Sequence, residues 1–214
     1  MKPETLRHWD ELQERAPILE VCREPLMQAV EAVCAMQRRG GKLLICGNGG
    51  SASDAQHISG ELGKAFQLSR KLKAEDAAQF NNSSLPDGDF LARNLENGIA
   101  TVVLSAHEAL ATAIANDGDA GLIFAQQVWV LARPGDILLA ISTSGNSRNI
   151  VLALQTARAV GITSIGLTGM DKARMDEFCD ILIKAPARGS VRVQELHLPL
   201  YHALCLMAEQ ELFE

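Results

Sequence analysis

The sequence predicts an α/β fold in which a parallel sheet is covered by helices on both faces. Short apolar runs rich in β-branched residues or leucine recur along the chain, helical patterns lie between them, and two glycine- and serine-rich loops each follow a run and open a helix. A chain of 214 residues with 47% hydrophobic side chains can bury a core without disulfides, and one domain over residues 1–214 is expected.

Residues 1–40 hold two helical patterns, at about 4–22 and 25–39. The second has Leu26, Val30, Val33 and Cys34 at helical spacing and Pro25 suited to its first turn. Strand-like runs follow at 42–46, 99–104, 136–141, 162–167 and 180–183, with helical stretches between them at 52–66, 107–115, 122–131 and 150–160 and a final one ending near Phe213. Residues 65–98 break this rhythm with Asn81-Asn82-Ser83-Ser84 and Pro86-Asp87-Gly88. We read them as an insertion with a short helix at about 89–95, whose polarity suits solvent or a subunit contact better than core.

The 20 Lys+Arg against 26 Asp+Glu give a formal charge of -6, which provides no basic field for nucleic acid. Cys22, Cys34, Cys46, Cys179 and Cys205 lack CxxC spacing and read as reduced thiols. Met1 to Glu20 alternates charged and apolar residues without the apolar stretch of a secretory signal, and no run is long enough to span a bilayer. A soluble cytoplasmic protein with no nucleic-acid or membrane partner is the expectation.

Loops leaving the carboxyl ends of strands lie where ligands bind in an open α/β sheet. In the first, Cys46-Gly47-Asn48-Gly49-Gly50-Ser51, the three glycines accept positive φ and close approach to a ligand, and free N–H groups favour an anion. Ser51 and Asp54 have capping-box spacing for the next helix. The second, Ser142-Thr143-Ser144-Gly145-Asn146-Ser147, sets four hydroxyls around one glycine, donors able to surround phosphate oxygens. Small residues also serve ordinary strand-to-helix turns. Two such loops on neighbouring strand ends favour a phosphate-facing site, while the lack of GxGxxG leaves a dinucleotide site poorly supported.

His57 and Glu61 sit four apart on the helix launched by the first loop, a spacing open to catalysis, metal binding or a plain helical pair. Near the C-terminus Gln194, Glu195, His197 and His202 interrupt the apolar stripe of Leu196, Leu200, Leu204 and Met207, and a kink at Pro199 could bring Gln194 and His202 together. His197 reads as a core histidine, and His8 and His107 as surface or capping residues.

Residues 46–57, Glu61, Ala115-Asn116-Asp117, residues 141–147, residues 194–197 and His202 together resemble the sugar isomerase (SIS) domain family, and within it the phosphoheptose (sedoheptulose-7-phosphate) isomerases, over most of the chain. The resemblance implies a three-layer sandwich with a five-stranded parallel sheet, N-terminal helices serving oligomerisation, and a homotetramer with sites between subunits. It also implies conversion of sedoheptulose 7-phosphate to an aldose heptose 7-phosphate. Carried onto this chain, it has Ser142, Thr143, Ser144 and Ser147 hold the phosphate and Asn48, Gly49, Gly50 and Ser51 meet the sugar. Asp117 and Gln194 join the substrate site, and Glu61 and His202 form the acid/base pair. Some members bind Zn²⁺ at the positions of His57, Glu61, Gln194 and His202, all present here. Aldose–ketose exchange through an enediol needs one group for a carbon-bound proton and one for oxygen, which a carboxylate and an imidazole can share.

Two departures from the family stand out. Several members place an aspartate at the Val191 position, and the shortest lack part of the 65–98 insertion. The rival expectation is a noncatalytic SIS scaffold that binds a replication initiator; retention of both Glu61 and His202 favours an enzyme.

Overall fold

The computed structural model describes residues 1–81 and 84–214, so Asn82 and Ser83 of the expected insertion lie outside the described residues. Strands β1 (Leu43–Gly47), β2 (Thr101–Val103), β3 (Ile137–Ile141), β4 (Thr163–Gly169) and β5 (Ile181–Ala185) form one parallel sheet in the order β2-β1-β3-β4-β5. All five expected runs are present, their ends moved by one or two residues.

Both faces of this sheet are covered. Leu43, Ile45, Ile137 and Leu139 face a cluster with Leu26 and Val30 of α2 (Arg23–Arg38), Ile58 and Leu62 of α3 (Gly50–Gly63) and Leu200 and Leu204 of α9 (Ser190–Phe213). Leu44, Cys46, Leu138 and Ala140 face the other way, onto Val128 of α7 (Ala125–Leu131) and Ile150 and Leu154 of α8 (Arg148–Val160). Alternate strand residues point to opposite layers, so strands buried on both sides read as continuous apolar runs.

The helix expected over 4–22 is broken. Helix α1 (Pro3–Arg15) ends where Ala16 takes φ -141°, ψ 68°, and a 3₁₀ turn, Pro17–Cys22, leads into α2. The proline ring disfavours helical backbone at the residue before it. Trp9 and Leu12 of α1 are buried in the same cluster as Leu204 of α9, so the N-terminal helices belong to this chain's own core.

The insertion contains α4 (Ala74–Asn81), which the sequence did not suggest, and α5 (Gly88–Asn94), close to the helix expected there. Its first segment is not surface. Arg70 is buried because Glu209 of α9 accepts from its Nε at 2.7 Å and from the N–H groups of Phe66, Gln67 and Leu68 at 2.8, 2.8 and 3.2 Å. Arg70 Nη1 donates to the Leu62 carbonyl at 2.8 Å and so closes the carboxyl end of α3. After β2 comes α6 (Glu108–Asp117). Among the described residues no helix is long and apolar enough to cross a membrane.

The chain leaves β1 for β2 on one side and returns to β3 on the other, so strand order reverses between β1 and β3. Gly47 and Ile141 pair there, and the two special loops emerge side by side at this switch point.

Candidate active site

In the first loop only Gly49 has positive φ, at 53°. Gly47 and Gly50 answer to space instead. A Cβ on Gly47 would run into the Ser51 backbone, and one on Gly50 into the Gln194 amide. The capping box does not form, because α3 already starts at Gly50 and both Ser51 and Asp54 lie within it. Ser51 is buried at the helix start, and Asp54 turns toward α9. Asn48 exchanges two hydrogen bonds with Asn149 of α8, at 2.9 and 2.8 Å, and so ties this loop to the helix opened by the second.

In the second loop Ser142 is buried and its hydroxyl donates to Ser147 Oγ at 3.3 Å. Ser144 Oγ accepts from the Asn146 N–H at 3.2 Å, and Gly145 turns the chain with φ 63°. Thr143, Ser144 and Asn146 line a cavity of about 210 Å³ together with Arg188, Ser190 and Val193. Val191, where relatives were expected to carry aspartate, is exposed beside it on α9. Asp117 ends α6 in solvent, its carboxylate accepting from Asn116 at 2.7 Å; none of the described contacts brings it to either loop.

Gly50, Asp54, His57 and Glu61 recur at three- and four-residue spacing and occupy one face of α3. That face meets α9. Gln194 Nε2 lies 3.5 Å from Asp54 Oδ2, and the Tyr201 hydroxyl lies 3.5 Å from Asp54 Oδ1 and 3.0 Å from His57 Nδ1. His57 Nε2 is 3.1 Å from Glu61 Oε1, and the His57 and His202 rings meet edge to face with centroids 5.0 Å apart. Burial, then the neighbouring His57, lowers the His202 pKa, while Glu61 pulls it up. Burial raises the Asp54 carboxyl against the opposing effects of Tyr201, His57 and Gln194.

Helix α9 runs on through Pro199, and the described contacts do not join Gln194 to His202. Eight residues of helix separate them by about 12 Å along the axis. Gln194 therefore serves the loop end of the site and His202 the Glu61 end. His197 is fully buried, as expected, and burial pushes its pKa down to about 4. His107 precedes α6 in solvent. His8 is a correction, since it is half-buried against α9 with Nε2 3.4 Å from Gln210 Oε1.

Sequence reasoning missed Tyr201, Asn149 and Arg188 as site neighbours and gave Asp54 a capping role. A signal existed for Asp54, which is one helical turn before His57 on the same face. Tyr201, the only tyrosine, directly precedes His202.

His57, Glu61, Gln194 and His202 suit Zn²⁺ in donor type, and His202 Nε2 is buried without a partner among the described residues. Among the described residues no three His, Cys, Asp or Glu side chains are already gathered for one ion, so binding by all four requires His57 to release Glu61 or Tyr201 and the Gln194 amide to leave Asp54 and turn toward His202.

The family model for the SIS domain matches residues 12–109 and 96–169. The chain is 36% identical over 197 residues to the phosphoheptose isomerase of Aliarcobacter butzleri, covering 92% of this chain and 90% of that protein. It is 39% identical over 189 residues to that of Trichlorobacter lovleyi, covering 88% and 83%. The structure of the phosphoheptose isomerase from Neisseria gonorrhoeae superposes with a TM-score of 0.71 at 31% identity, covering 97% of this chain and 94% of the other. Sheet order, switch-point loops and sequence agree, and the chain belongs to the phosphoheptose isomerase group of the SIS domain family.

Proposed function

We propose that this phosphosugar isomerase interconverts sedoheptulose 7-phosphate and D-glycero-D-manno-heptose 7-phosphate through an enediol. One observation carries the reading: a loop of four hydroxyls and the His57–Glu61–His202 group are set at one sheet edge, with Gln194 packed against Gly50 between them. Ser142, Thr143, Ser144 and Ser147 hold the phosphate, and Asn48, Gly49, Gly50, Ser51 and Gln194 meet the sugar. Asp117 reaches the substrate site by movement of α6 or from a neighbouring subunit.

Glu61 takes the C1 proton of the ketose and returns it at C2. His202, whose lowered pKa keeps it neutral near pH 7, donates to O2 and accepts from O1, so protons balance over the cycle. Zn²⁺, where held by His57, Glu61, Gln194 and His202, supplies polarisation of the carbonyl and stabilisation of enediolate charge. The scaffold alternative finds no support among the relatives reported above.

Purified protein incubated with sedoheptulose 7-phosphate should form aldose, and Glu61→Gln and His202→Ala should abolish it. No aldose from the parent would sink the reading. Metal analysis of protein prepared without chelator tests zinc; no zinc, and no gain in activity on adding it, would exclude a metal role.

We also propose a cytoplasmic homotetramer with sites between subunits. Exposed Val191 and Leu198 on α9 and Ile18 and Val21 after α1 offer apolar surface for assembly, and all five cysteines are free. Light scattering on the eluting protein gives its mass, and a monomer contradicts the proposal.

A further inference from the structure

We infer that Tyr201 and Asp54 are positioning residues that hold His57 toward Glu61 and couple that end of the site to the first loop. The inference rests on the isomerase reading of the same site.

His57 is engaged at both ring nitrogens, Nδ1 at 3.0 Å from the Tyr201 hydroxyl and Nε2 at 3.1 Å from Glu61 Oε1. An imidazole held at both nitrogens has its plane and its presented nitrogen fixed. Tyr201 is a firm support because it is 3% exposed and its ring is edge-on to both neighbours, with centroids 5.5 Å from His57 and 5.2 Å from His202. His57 itself is far more open, its side chain 42% exposed, so packing alone does not orient it.

Asp54 joins this support to the loop. Its Oδ1 lies 3.5 Å from the Tyr201 hydroxyl and its Oδ2 lies 3.5 Å from Gln194 Nε2, while the Gln194 amide fills the space above Gly50. Polar contacts therefore run from Gln194, which packs over Gly50 at the start of α3, through Asp54, Tyr201 and His57 to Glu61. In the reaction proposed above neither Asp54 nor Tyr201 moves a proton. Their work is to keep the sugar-facing amide and the acid/base group in one fixed relation.

Tyr201→Phe separates positioning from packing, because phenylalanine keeps the ring and loses only the hydroxyl. We expect the melting temperature to hold, KM for sedoheptulose 7-phosphate to stay within about two-fold, and kcat to fall by about 10- to 100-fold. In protein carrying ¹⁵N-histidine, the His57 nitrogen resonances, assigned with His57→Gln, should move or broaden. Asp54→Asn should act in the same direction and raise KM as well. Parent-like kcat together with unmoved His57 resonances in Tyr201→Phe overturns the inference. Should that variant not fold, the His57 resonances in Asp54→Asn decide. The resonance measurement does not need turnover, so an inactive parent would refute the isomerase reading while the relay is judged separately.

Discussion

Asn48 and Asn149 trade both their amide hydrogen bonds, Asn48 Nδ2 to Asn149 Oδ1 at 2.9 Å and Asn149 Nδ2 to Asn48 Oδ1 at 2.8 Å. The pair crosses from the loop after β1 to the first turn of α8. It fixes the spacing between the loop assigned to the sugar and the loop assigned to the phosphate. Two amide bonds contribute about 0.5–1.5 kcal/mol each.

Asn149→Ala should therefore raise KM for the sugar phosphate by about 10-fold, although Asn149 is not itself assigned to the ligand. Asn48→Ala should do at least as much. The double variant should be scarcely worse than Asn48→Ala alone, because each single change already breaks the pair. Fully additive effects would show that the two side chains act separately.

Gly50 and Gly60 lie on the same helix and predict opposite outcomes. The atoms nearest a Cβ at Gly50 are the end of the flexible Gln194 side chain, so Gly50→Ala should displace that amide and leave the backbone in place. Activity should fall by about 10-fold or more while the melting temperature holds. A Cβ at Gly60 meets nothing within 4 Å, and Gly60→Ala should add about 0.5–1 kcal/mol of stability with activity kept. Denaturant midpoints and steady-state kinetics on the two variants check the contrast.

Arg70 and Glu209 form a fully buried ion pair that anchors the start of the insertion to α9. Breaking such a pair from one side costs about 3–5 kcal/mol, so Glu209→Gln should lower the denaturant midpoint sharply. The pH dependence has a definite sign. Burial raises the Glu209 carboxyl, but the N–H groups of Phe66, Gln67 and Leu68 and the Arg70 guanidinium outweigh it, and the net pKa lies below the ordinary 4.5. Its stabilisation is present above pH 4.5 and is lost as pH falls through the lower folded value. Glu209→Gln should remove that acid limb, and an unchanged limb would assign it to other carboxylates.

The sheet was legible because β1 and β3 are buried on both faces and cannot tolerate polar residues, so their apolar runs stand out. The two loops were legible because tight strand-to-helix turns need small residues. The break at Ala16 was signalled by Pro17 and overridden in the reading by helical periodicity on both sides. What the sequence could not show is which side chains face each other across α3 and α9. Arg70 looked like one charge among several in a polar stretch. Its burial depends on Glu209, 139 residues away, which no local pattern reveals. Asp54 was misread for the same reason, since its partners Gln194 and Tyr201 lie on another helix.

His197 supplies a separate pH test. It is fully buried, and burial lowers its pKa from 6.5 to about 4 against a weaker opposing hydrogen bond with the Thr168 backbone. Folding therefore requires the neutral ring. Its contribution is complete above pH 6.5 and is lost as pH falls through about 4, a window above the acid limb of Glu209. Over that window one extra proton taken up on unfolding gives a slope of about 1.4 kcal/mol per pH unit, amounting to about 3 kcal/mol in all. His202 is also lowered and adds in the same direction. His197→Met, which keeps an unbranched side chain of similar size without a titrating group, should flatten the stability profile between pH 6.5 and 4 relative to the parent. Urea unfolding at several pH values measures the slope directly, and parallel profiles for parent and variant would mean that His197 takes up no proton on unfolding in that range.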